Sequence, residues 1–292
     1  MKGLIVMNAY PAGEKFFRQS GRIAEELNKL GVETQVKKNC EIARLISDAG
    51  VLTESGYDFA VYLDKDKYLG YALEKGGLRL FNRAVAVEVC DDKTSTYLAL
   101  CGQNVPIVPT VSAPLCYTQN VTADEDFLRY VGQTLGFPLV VKTSYGSFGA
   151  GVYLAKDERE LQSLANRFLR VPHLYQAYEK ESAGRDLRVI VVGGKAVGAM
   201  ERRAQDGEFR SNIEIGGVGK GVDLDENARA VAERAATVLG LDYCGVDLLL
   251  TARGAVVCEV NSNAFFEGFE SATGVNVAAA YARHIVTAMK TV

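Results

Sequence analysis

The sequence predicts an α/β protein, with a parallel sheet in the N-terminal third and an α+β arrangement in the remainder. Three observations support this fold class. Strand-like and helix-like segments alternate through roughly the first ninety residues, which is typical of a parallel, doubly wound sheet. Strand-like segments dominate the last third. The 292 residues, 48% of them hydrophobic, suffice for two or three packed domains.

The N-terminal third begins with the strand "KGLIVMN". A helix follows in "EKFFRQSGRIAEELNKLG", where Phe16, Ile23, Leu27 and Leu30 share one helical face and Gly31 is a stop signal. The next segments are "VETQVKK", a strand; "CEIARLI", a short helix; "YDFAVYLD", a strand; "KYLGYALEKGG", a helix; and "LRLFNR", a fourth strand. No G-x-G-x-x-G motif follows the first strand, which argues against a dinucleotide-binding dehydrogenase.

The middle of the chain combines helices with an extended connector. We expect a helix in "CDDKTSTYLALCGQ", capped by Asp91 or Asp92, a connector in "VPIVPTVSAP", and an amphipathic helix in "ADEDFLRYVGQTLG". Residues 137–169 have the pattern of a strand, a glycine-rich loop, a second strand and a helix with a capping box of Asp157 and Glu160. The strand "HLYQAYE" then links two lobes.

The last third is predicted to contain two hairpins and two helices. The first hairpin turns at Gly193-Gly194, and a helix follows from Asp225 to Leu239, with Gly240 as its stop. The second hairpin covers residues 245–261. A C-terminal helix begins at about Val277.

Composition excludes several classes of protein. Positive and negative charges are mixed and the net charge is -3, so no bulk attraction to nucleic acid or acidic membranes is expected. The sequence shows no signal peptide and no apolar run long enough to span a bilayer. Six cysteines without a C-x-x-C pair indicate reduced, buried thiols in a cytoplasmic protein. With only two histidines, a His-based zinc site is not expected, and both are interpreted as structural or surface residues.

Three polar side chains interrupt the apolar pattern of the second hairpin. If its turn centres on Arg253, with Gly254 left-handed in a three-residue loop, Asp247 lies opposite Glu259, and Asn261 shares their face. Carboxylates about 5 Å apart at Cβ repel by on the order of 3 kcal/mol at an effective dielectric of about 20. A hard divalent cation, Mg²⁺ or Mn²⁺, would offset that repulsion. The alternative is a solvated polar face with the acids splayed apart. The opposite, buried face is expected to carry Val246, Leu248, Leu250, Val256, Cys258 and Val260.

Two further signals favour a polyphosphate ligand. The stretch "VVKTSYGSFGAGV" joins two strands and begins near Lys142, which fits a flexible flap over a triphosphate, although the glycines alone also fit a β-turn. A cationic set with one amide follows, and the donor forks of its arginines match phosphate oxygens. Singly, each of these residues is as well explained by a solvated surface. The set consists of Arg202, Arg203, Arg210, Lys220 and Asn212. Together with the paired acids, these signals describe a Mg–ATP site.

The order of the motifs resembles the ATP-grasp superfamily, and within it the RimK-like ligases. From about Lys93 onward the motifs are "DDKTST", "FPLVVKTSYGSFGAGV", "YQAYEK", "GRDLRVIVVGGKAVGAMERRA", "GEFRSN", "GVDLL" and "CEVNSN". The resemblance implies an N-terminal pre-ATP-grasp α/β domain over residues 1–91, followed by a two-lobed ATP-grasp fold. Its central lobe, with the glycine-rich flap, would cover residues 92–176, and its C-terminal lobe, with the metal site, residues 177–292.

The resemblance also implies the site residues. Lys93 and Lys142 would contact ATP phosphates, and Asp186 would take the ribose hydroxyls or order that edge. The backbone of Gln176, Ala177 and Tyr178 would hold adenine. Arg202 and Arg210 would be catalytic, with Arg210 and Asn212 on the γ-phosphate, and Ser147, Gly149 and Ser211 would add nucleotide contacts. Asp247, Glu259 and Asn261 would bind two Mg²⁺ or Mn²⁺ ions.

The implied activity is an ATP-dependent carboxylate–amine ligase. It would form an acyl phosphate and then an amide, releasing ADP and phosphate, and would add an amino acid such as glutamate to a peptide, a protein tail or a small metabolite. Relatives commonly form dimers or tetramers. The alternative is an ATP-binding module or regulatory subunit without ligase activity. Two departures from the family pattern are Tyr145 before the glycines and Phe265-Phe266 after the metal motif, which are either core residues or the lining of an apolar acceptor pocket.

Overall fold

The computed structural model describes residues 1–10, 13–146, 149–205 and 216–291. Its strands are β1 Lys2–Met7, β2 Glu33–Lys38, β3 Leu45–Ser47, β4 Gly50–Leu52, β5 Phe59–Leu63, β6 Arg79–Phe81, β7 Thr110–Ser112, β8 Leu139–Thr143, β9 Val152–Ala155, β10 His173–Ala177, β11 Arg185–Val192, β12 Lys195–Arg203, β13 Val218–Val222, β14 Tyr243–Thr251 and β15 Gly254–Asn261. Its helices are α1 Lys15–Lys29, α2 Lys67–Lys75, α3 Ala84–Asp91, α4 Lys93–Leu100, α5 Glu125–Leu135, α6 Glu158–Phe168, α7 Glu226–Val238, α8 Glu267–Thr273 and α9 Val277–Lys290.

The N-terminal sheet is parallel, in the order β2-β1-β5-β6, which confirms the predicted α/β class. Strands β1 and β5 are buried on both faces, because helices cover each side. Helix α1 buries Ile23 and Leu27 on the face that the periodicity predicts, whereas Leu30, assigned to the same face, is exposed at the C-terminal end of the helix. The C-terminal ends of β1 and β5 lie side by side, and this edge forms one wall of the functional site.

The predicted short helix in "CEIARLI" is wrong. The segment contains a single 3-10 turn, Asn39–Glu41, and then β3, which pairs with β4 in a small antiparallel hairpin. Of its apolar residues only Ile42 reaches the core, whereas Leu45 and Ile46 are exposed. A helix here would gain too little burial to be stable, since short helices depend on packing an apolar face.

The helix predicted from Cys90 onward is confirmed as α4, which begins at Lys93. A separate helix, α3, ends at Asp91, and the chain is extended at Asp92 between the two helices. The Asp92 carboxylate accepts hydrogen bonds from the backbone N–H groups of Thr94 and Ser95, so Asp92, rather than Asp91, is the cap. This cap fixes Lys93 in the first turn of α4.

The central sheet is antiparallel, in the order β7-β10-β8-β9. Strand β7 lies within the predicted connector, so that segment is only partly irregular. Helices α5 and α6 cover one face and enclose a separate core that includes Val131, Leu139, Val141 and Leu161. Asp157 caps α6 by accepting from the backbone N–H of Glu160, as predicted.

The C-terminal sheet is antiparallel, in the order β13-β12-β11-β14-β15. One face packs against α7. The other face shares a core with α1, α9 and the N-terminal sheet, and this core joins Ile5 and Phe81 to Ile190, Tyr243 and Tyr281. The three larger sheets occupy consecutive stretches of the chain. The domain boundaries at residues 91 and 176 stay a prediction.

The structure tests the predictions made for the cysteines and for the two histidines. Cys90 and Cys244 are buried as predicted, but Cys40 and Cys101 are exposed, so the expectation of buried thiols is wrong for those two. Both histidines are structural: His173 hydrogen-bonds to the Val171 carbonyl and the Tyr175 hydroxyl, and burial lowers its pKa. Among the helices in the described ranges, none is long and apolar enough to cross a membrane.

Candidate functional site

The second hairpin places Asp247 directly opposite Glu259, as predicted, but by a different route. Its loop has two residues rather than three, because Thr251 pairs with Gly254. A bulge at Cys258 then shifts the register by one and restores the Asp247–Glu259 pair. Gly254 does adopt a positive φ, +97°.

The bulge changes which side chains face the core. Val257, rather than Cys258, joins Val246, Leu248 and Val260 in the core cluster. Val256 pairs with Leu249, a cleft-lining residue, and Cys258 lines the same cleft. The predicted assignment of Val256 and Cys258 to the opposite face is therefore wrong, since a single inserted residue exchanges the two faces of a strand.

Two arginines hold Asp247. Arg188, its neighbour across the β11–β14 ladder, donates from Nε to Oδ1 at 2.5 Å and from Nη2 to Oδ2 at 2.7 Å. Arg202 Nη2 lies 3.0 Å from Oδ2. Burial alone would raise the pKa of Asp247, but the two guanidinium groups outweigh it and hold that pKa below its usual range.

Arg202 extends this network to Asp186. It donates to the two Asp186 carboxylate oxygens at 2.7 Å and 2.6 Å, and only 3% of its surface is exposed. Burial would lower the pKa of Arg202, but Asp247 and Asp186 outweigh it and raise the pKa further. Arg202 is therefore a fixed positive charge at neutral pH.

The two predicted phosphate-binding lysines are both nearly buried. Lys93 Nζ donates to the Gly146 carbonyl at 2.9 Å and lies 3.4 Å from Glu259 Oε1. Lys142, on β8, has its Nζ 3.6 Å from Cys258 Sγ. Both line a cleft of about 110 Å³ between the central and C-terminal sheets. We call it the cleft; its lining also includes Gly149, Gln176, Ala177, Tyr178, Asp186, Arg202, Asp247 and Glu259.

Strand β10 closes one end of the cleft. Gln176 is buried and donates from Nε2 to Thr110 Oγ1 at 2.8 Å. The backbone N–H of Ala177 donates to the Pro109 carbonyl at 3.0 Å. Of the three residues predicted to hold adenine, Ala177 therefore has its N–H already engaged within the protein.

A larger chamber of about 720 Å³ opens beside the cleft. We call it the chamber; α1 and the ends of β1 and β5 form one wall, and residues 261–270 form another. The cleft and the chamber have Lys93, Gly146, Arg202 and Glu259 in common. The volume of the chamber lies within the range typical of small-molecule sites.

Four predicted site residues lie outside the described residues: Ser147, Arg210, Ser211 and Asn212. The others are brought together around the cleft and the chamber. Of the three predicted metal ligands, Asp247 lines the cleft, Asn261 lines the chamber and Glu259 lines both.

The donor set fits a hard cation at Glu259 and Asn261. The Glu259 side chain is 29% exposed. The Asn261 Nδ2 is buried and has no hydrogen-bond partner among residues 1–10, 13–146, 149–205 and 216–291, so an anionic oxygen next to a metal would satisfy it. Asp247 already accepts from two arginines, although a carboxylate has about four acceptor sites. Among the described residues, no three His, Cys, Asp or Glu side chains cluster closely enough to hold a metal. A metal here would therefore depend on two acids and an amide.

This geometry agrees with a comparison to known families. A family model for the RimK-like ATP-grasp domain matches residues 91–285. The chain belongs to the RimK-like ATP-grasp family.

Sequence relatives and solved structures agree with this assignment. The chain is 38% identical over 222 residues to N-acetylaspartylglutamate synthase A from Homo sapiens, an alignment that covers 75% of this chain and 55% of that protein. It is 40% identical to a probable alpha-L-glutamate ligase from Thioalkalivibrio sulfidiphilus, over 70% of this chain and 66% of that protein. The structure of D-alanine–D-alanine ligase from Bacillus anthracis complexed with ATP superimposes with a TM-score of 0.74 at 19% identity, covering 100% of this chain and 98% of that one. The chain thus spans about half the length of the human relative and shares the ATP-grasp fold.

The two phenylalanines that depart from the RimK-like pattern have different roles. Phe266 is 2% exposed and belongs to the core. Phe265 is half-buried and lines the chamber, where it makes an edge-to-face contact with Phe16 at 4.8 Å between ring centroids. Lys15 Nζ lies 4.7 Å from the centre of the Phe265 ring. Phe266 is therefore a core residue that also borders the chamber, and a role of Phe265 in lining an acceptor pocket stays a prediction.

Sequence reasoning missed Arg188. The residue lies in "GRDLRVIVV", two positions after Asp186, so strand alternation alone would have placed it on the same face. Nothing in its local pattern identified Asp247 as its partner.

Asn82 was also missed. It is 1% exposed and follows β6. Its Nδ2 donates to the Tyr243 and Ser262 carbonyls, both at 2.7 Å, and its Oδ1 accepts from the Tyr243 N–H at 2.9 Å. Asn82 thus joins the N-terminal sheet to the open end of the hairpin, where β14 begins and β15 ends. This hairpin carries Asp247, Glu259 and Asn261.

Proposed function

We propose that the chain is an ATP-dependent carboxylate–amine ligase that forms an acyl phosphate and then an amide, releasing ADP and phosphate. One observation carries this proposal: the cleft and the chamber meet at Lys93, Arg202 and Glu259. A phosphate that enters from the cleft and a carboxylate that enters from the chamber would share the same positive groups. This arrangement suits transfer of a phosphoryl group between them.

The cleft is proposed to hold ATP and to widen when the nucleotide binds, because its volume of about 110 Å³ lies below the range of small-molecule sites. Lys93 and Lys142 would contact the ATP phosphates, and Gly149, in the glycine-rich flap, would add a nucleotide contact. Adenine would bind at the end of β10 to backbone groups of Gln176, Ala177 and Tyr178 other than the Ala177 N–H, which donates to the Pro109 carbonyl. Both carboxylate oxygens of Asp186 accept hydrogen bonds from Arg202, so Asp186 would position that guanidinium at the edge of the cleft. It would not bind the ribose hydroxyls through both oxygens. Ser147, Arg210, Ser211 and Asn212 keep their predicted nucleotide contacts as proposals.

Glu259 and Asn261, with Asp247 beside them, are proposed to hold Mg²⁺ or Mn²⁺, with two ions as the expectation. A bound divalent cation would neutralise the charge of the phosphates. Glu259 would present an oxygen to both cavities, and the Asn261 amide would complete the donor set.

The arginine network is proposed to supply the electrostatic part of catalysis. Arg202 is held by two carboxylates, so its guanidinium is positioned before substrate binds. Arg188 lines the chamber and keeps Asp247 ionised beside it. Phosphoryl transfer needs positioning and positive charge more than a covalent nucleophile, and the attacking group in the second step is the substrate amine. Arg210 is proposed as a further catalytic cation.

The names of the relatives suggest the substrates. Both N-acetylaspartylglutamate synthase A and the alpha-L-glutamate ligase carry glutamate in their names. We therefore propose L-glutamate as the amine substrate and a small metabolite or a peptide or protein tail as the carboxylate substrate. A cytoplasmic homo-oligomer, dimer or tetramer, stays a prediction.

Mass spectrometry of reaction products tests the proposal. Purified protein is incubated with Mg–ATP, L-glutamate and a panel of metabolite and peptide carboxylates, with each acid or the glutamate omitted as a control. The proposal predicts ADP, phosphate and a new amide adduct only when all substrates are present. AMP and pyrophosphate as products would contradict the mechanism. ATP binding without turnover for any acid would instead support the binding-module alternative.

A further inference from the structure

A buried carboxylate oxygen without a donor lies in the wall of the chamber. Asp64 follows β5 directly, is 5% exposed and lines the chamber together with Asn8, which follows β1. Its Oδ2 is fully buried and has no hydrogen-bond partner within the part of the chain that the structure describes. Leaving a buried acceptor unsatisfied is costly, and more so for a charged group.

The other oxygen of the same carboxylate is fully engaged. Asp64 Oδ1 accepts from Asn8 Nδ2 at 3.1 Å, from the Lys65 N–H at 2.7 Å and from the Asp66 N–H at 3.3 Å. These three donors fix the carboxyl group without reaching Oδ2. The neighbouring Lys65 ammonium pairs with Asp91 at 2.6 Å. The arrangement thus leaves one oxygen of a chamber-lining carboxylate without a donor among the described residues.

The position of Asp64 also suits a ligand. In open parallel sheets, ligands bind in the crevice beyond the carboxyl ends of the strands, and Asn8 and Asp64 end two adjacent strands of such a sheet. The opposite wall supplies Glu259 and Asn261, next to the proposed metal. A substrate held at Asp64 would therefore lie in the same chamber as the activated carboxylate.

We propose that Asp64 binds the α-ammonium group of the amino-acid substrate. An ammonium supplies the N–H donor that Oδ2 lacks, and it compensates the buried negative charge, so the hydrogen bond is charge-assisted. This inference rests on the proposed function, because a ligase of this type needs an amine in the chamber. It makes Asp64 a specificity-determining residue that selects amines over uncharged or anionic analogues.

The test compares L-glutamate with glutarate, which lacks only the amino group. Binding of both to the full chain, with Mg²⁺ and ADP present, is measured by calorimetry for the wild type and for Asp64→Asn. The proposal predicts that the wild type prefers L-glutamate by roughly 10- to 100-fold and that this preference falls to near unity in Asp64→Asn. Glutarate affinity should stay the same or rise, because the variant removes a negative charge that repels this dianion.

Glu267→Gln is the matched control. Glu267 lines the same chamber but is already paired with Arg18. Glu267→Gln also removes one negative charge from the chamber, which favours the dianion glutarate, but it leaves Asp64 in place, so a preference for L-glutamate should persist. Unchanged ADP affinity of Asp64→Asn would show that the variant is folded.

Three results would overturn the inference: no binding of L-glutamate to the wild type, no preference over glutarate, or an equal preference in Asp64→Asn. The outcome is separable from that of the proposed function. A protein that forms amides but keeps its glutamate preference in Asp64→Asn contradicts only the role of Asp64. A protein that shows the Asp64-dependent preference but releases no ADP with any acid contradicts only the ligase activity.

Discussion

Arg188 and Asp247 form a two-point ion pair across adjacent strands, with donor–acceptor distances of 2.5 Å and 2.7 Å. The Asp247 side chain is 5% exposed and that of Arg188 is 15% exposed, so water screens the pair weakly. Arg202 makes the second contact to Asp247, and Asp186 anchors Arg202. The four side chains form one buried network beneath the site.

Arg188→Met is expected to destabilise the protein and to impair turnover. The change leaves the buried Asp247 carboxylate with one cation instead of two, and breaking a buried pair of this kind costs about 3 kcal/mol. Urea unfolding measures the loss, and ADP release measures the effect on activity. Arg253→Met is the control, because Arg253 also pairs with a carboxylate, Glu179, but its side chain is 60% exposed. We expect the control to change stability by less than about 1 kcal/mol. Equal effects of the two variants would contradict the buried-network account.

The stability that Asp247 contributes should depend on pH in one direction. Its folded pKa is held below the unfolded value of about 3.9 by Arg188 and Arg202, despite burial. The contribution is therefore complete above the unfolded pKa and is lost as pH falls through the folded pKa. Urea unfolding of the wild type and Asp247→Asn should give a constant difference in free energy from about pH 8 to about pH 5, and a smaller one below about pH 4. A difference that grows as the pH falls would contradict the assignment.

Asn82→Ala tests the link between the N-terminal sheet and the metal hairpin. The variant leaves two carbonyls and one N–H unsatisfied in the interior, which we expect to cost about 2–4 kcal/mol in urea unfolding. It should also raise the Mg²⁺ concentration required for half-maximal turnover, because the ends of β14 and β15 lose their common anchor. Asn28→Ala, which removes an exposed asparagine that accepts from Thr34, should be nearly neutral. A destabilised variant with an unaltered Mg²⁺ requirement would limit Asn82 to a structural role.

The sequence predicted features that depend on local pattern. The buried runs of β1 and β5, the helical face of Ile23 and Leu27, and the parallel N-terminal sheet all follow from residue periodicity. The Asp247–Glu259 pairing was also predicted, although two deviations cancel: a shorter loop and a bulge at Cys258. Neither deviation leaves a signal in composition or spacing.

Features that depend on distant contacts could not be predicted. Asn82 acts through residues about 160 and 180 positions away, and no local pattern distinguishes it from a turn asparagine. Asp64 is unusual only because one of its oxygens is buried without a donor, which the fold decides. The helix expected in "CEIARLI" failed for a related reason, since only Ile42 among its apolar residues reaches the core.

Glu259 and Asn261, with Asp247 beside them, are proposed to bind a divalent cation at the junction of the cleft and the chamber. Electron paramagnetic resonance of Mn²⁺ in the presence of ADP measures this directly in the wild type, Glu259→Gln and Asn261→Ala. Glu201→Gln is the control, since Glu201 pairs with Arg203 at 2.9 Å and lines neither cavity. We expect the affinity for Mn²⁺ to be at least about 10-fold weaker in Glu259→Gln and in Asn261→Ala than in the wild type, and unchanged in Glu201→Gln. Equal Mn²⁺ affinity in all four proteins would contradict it.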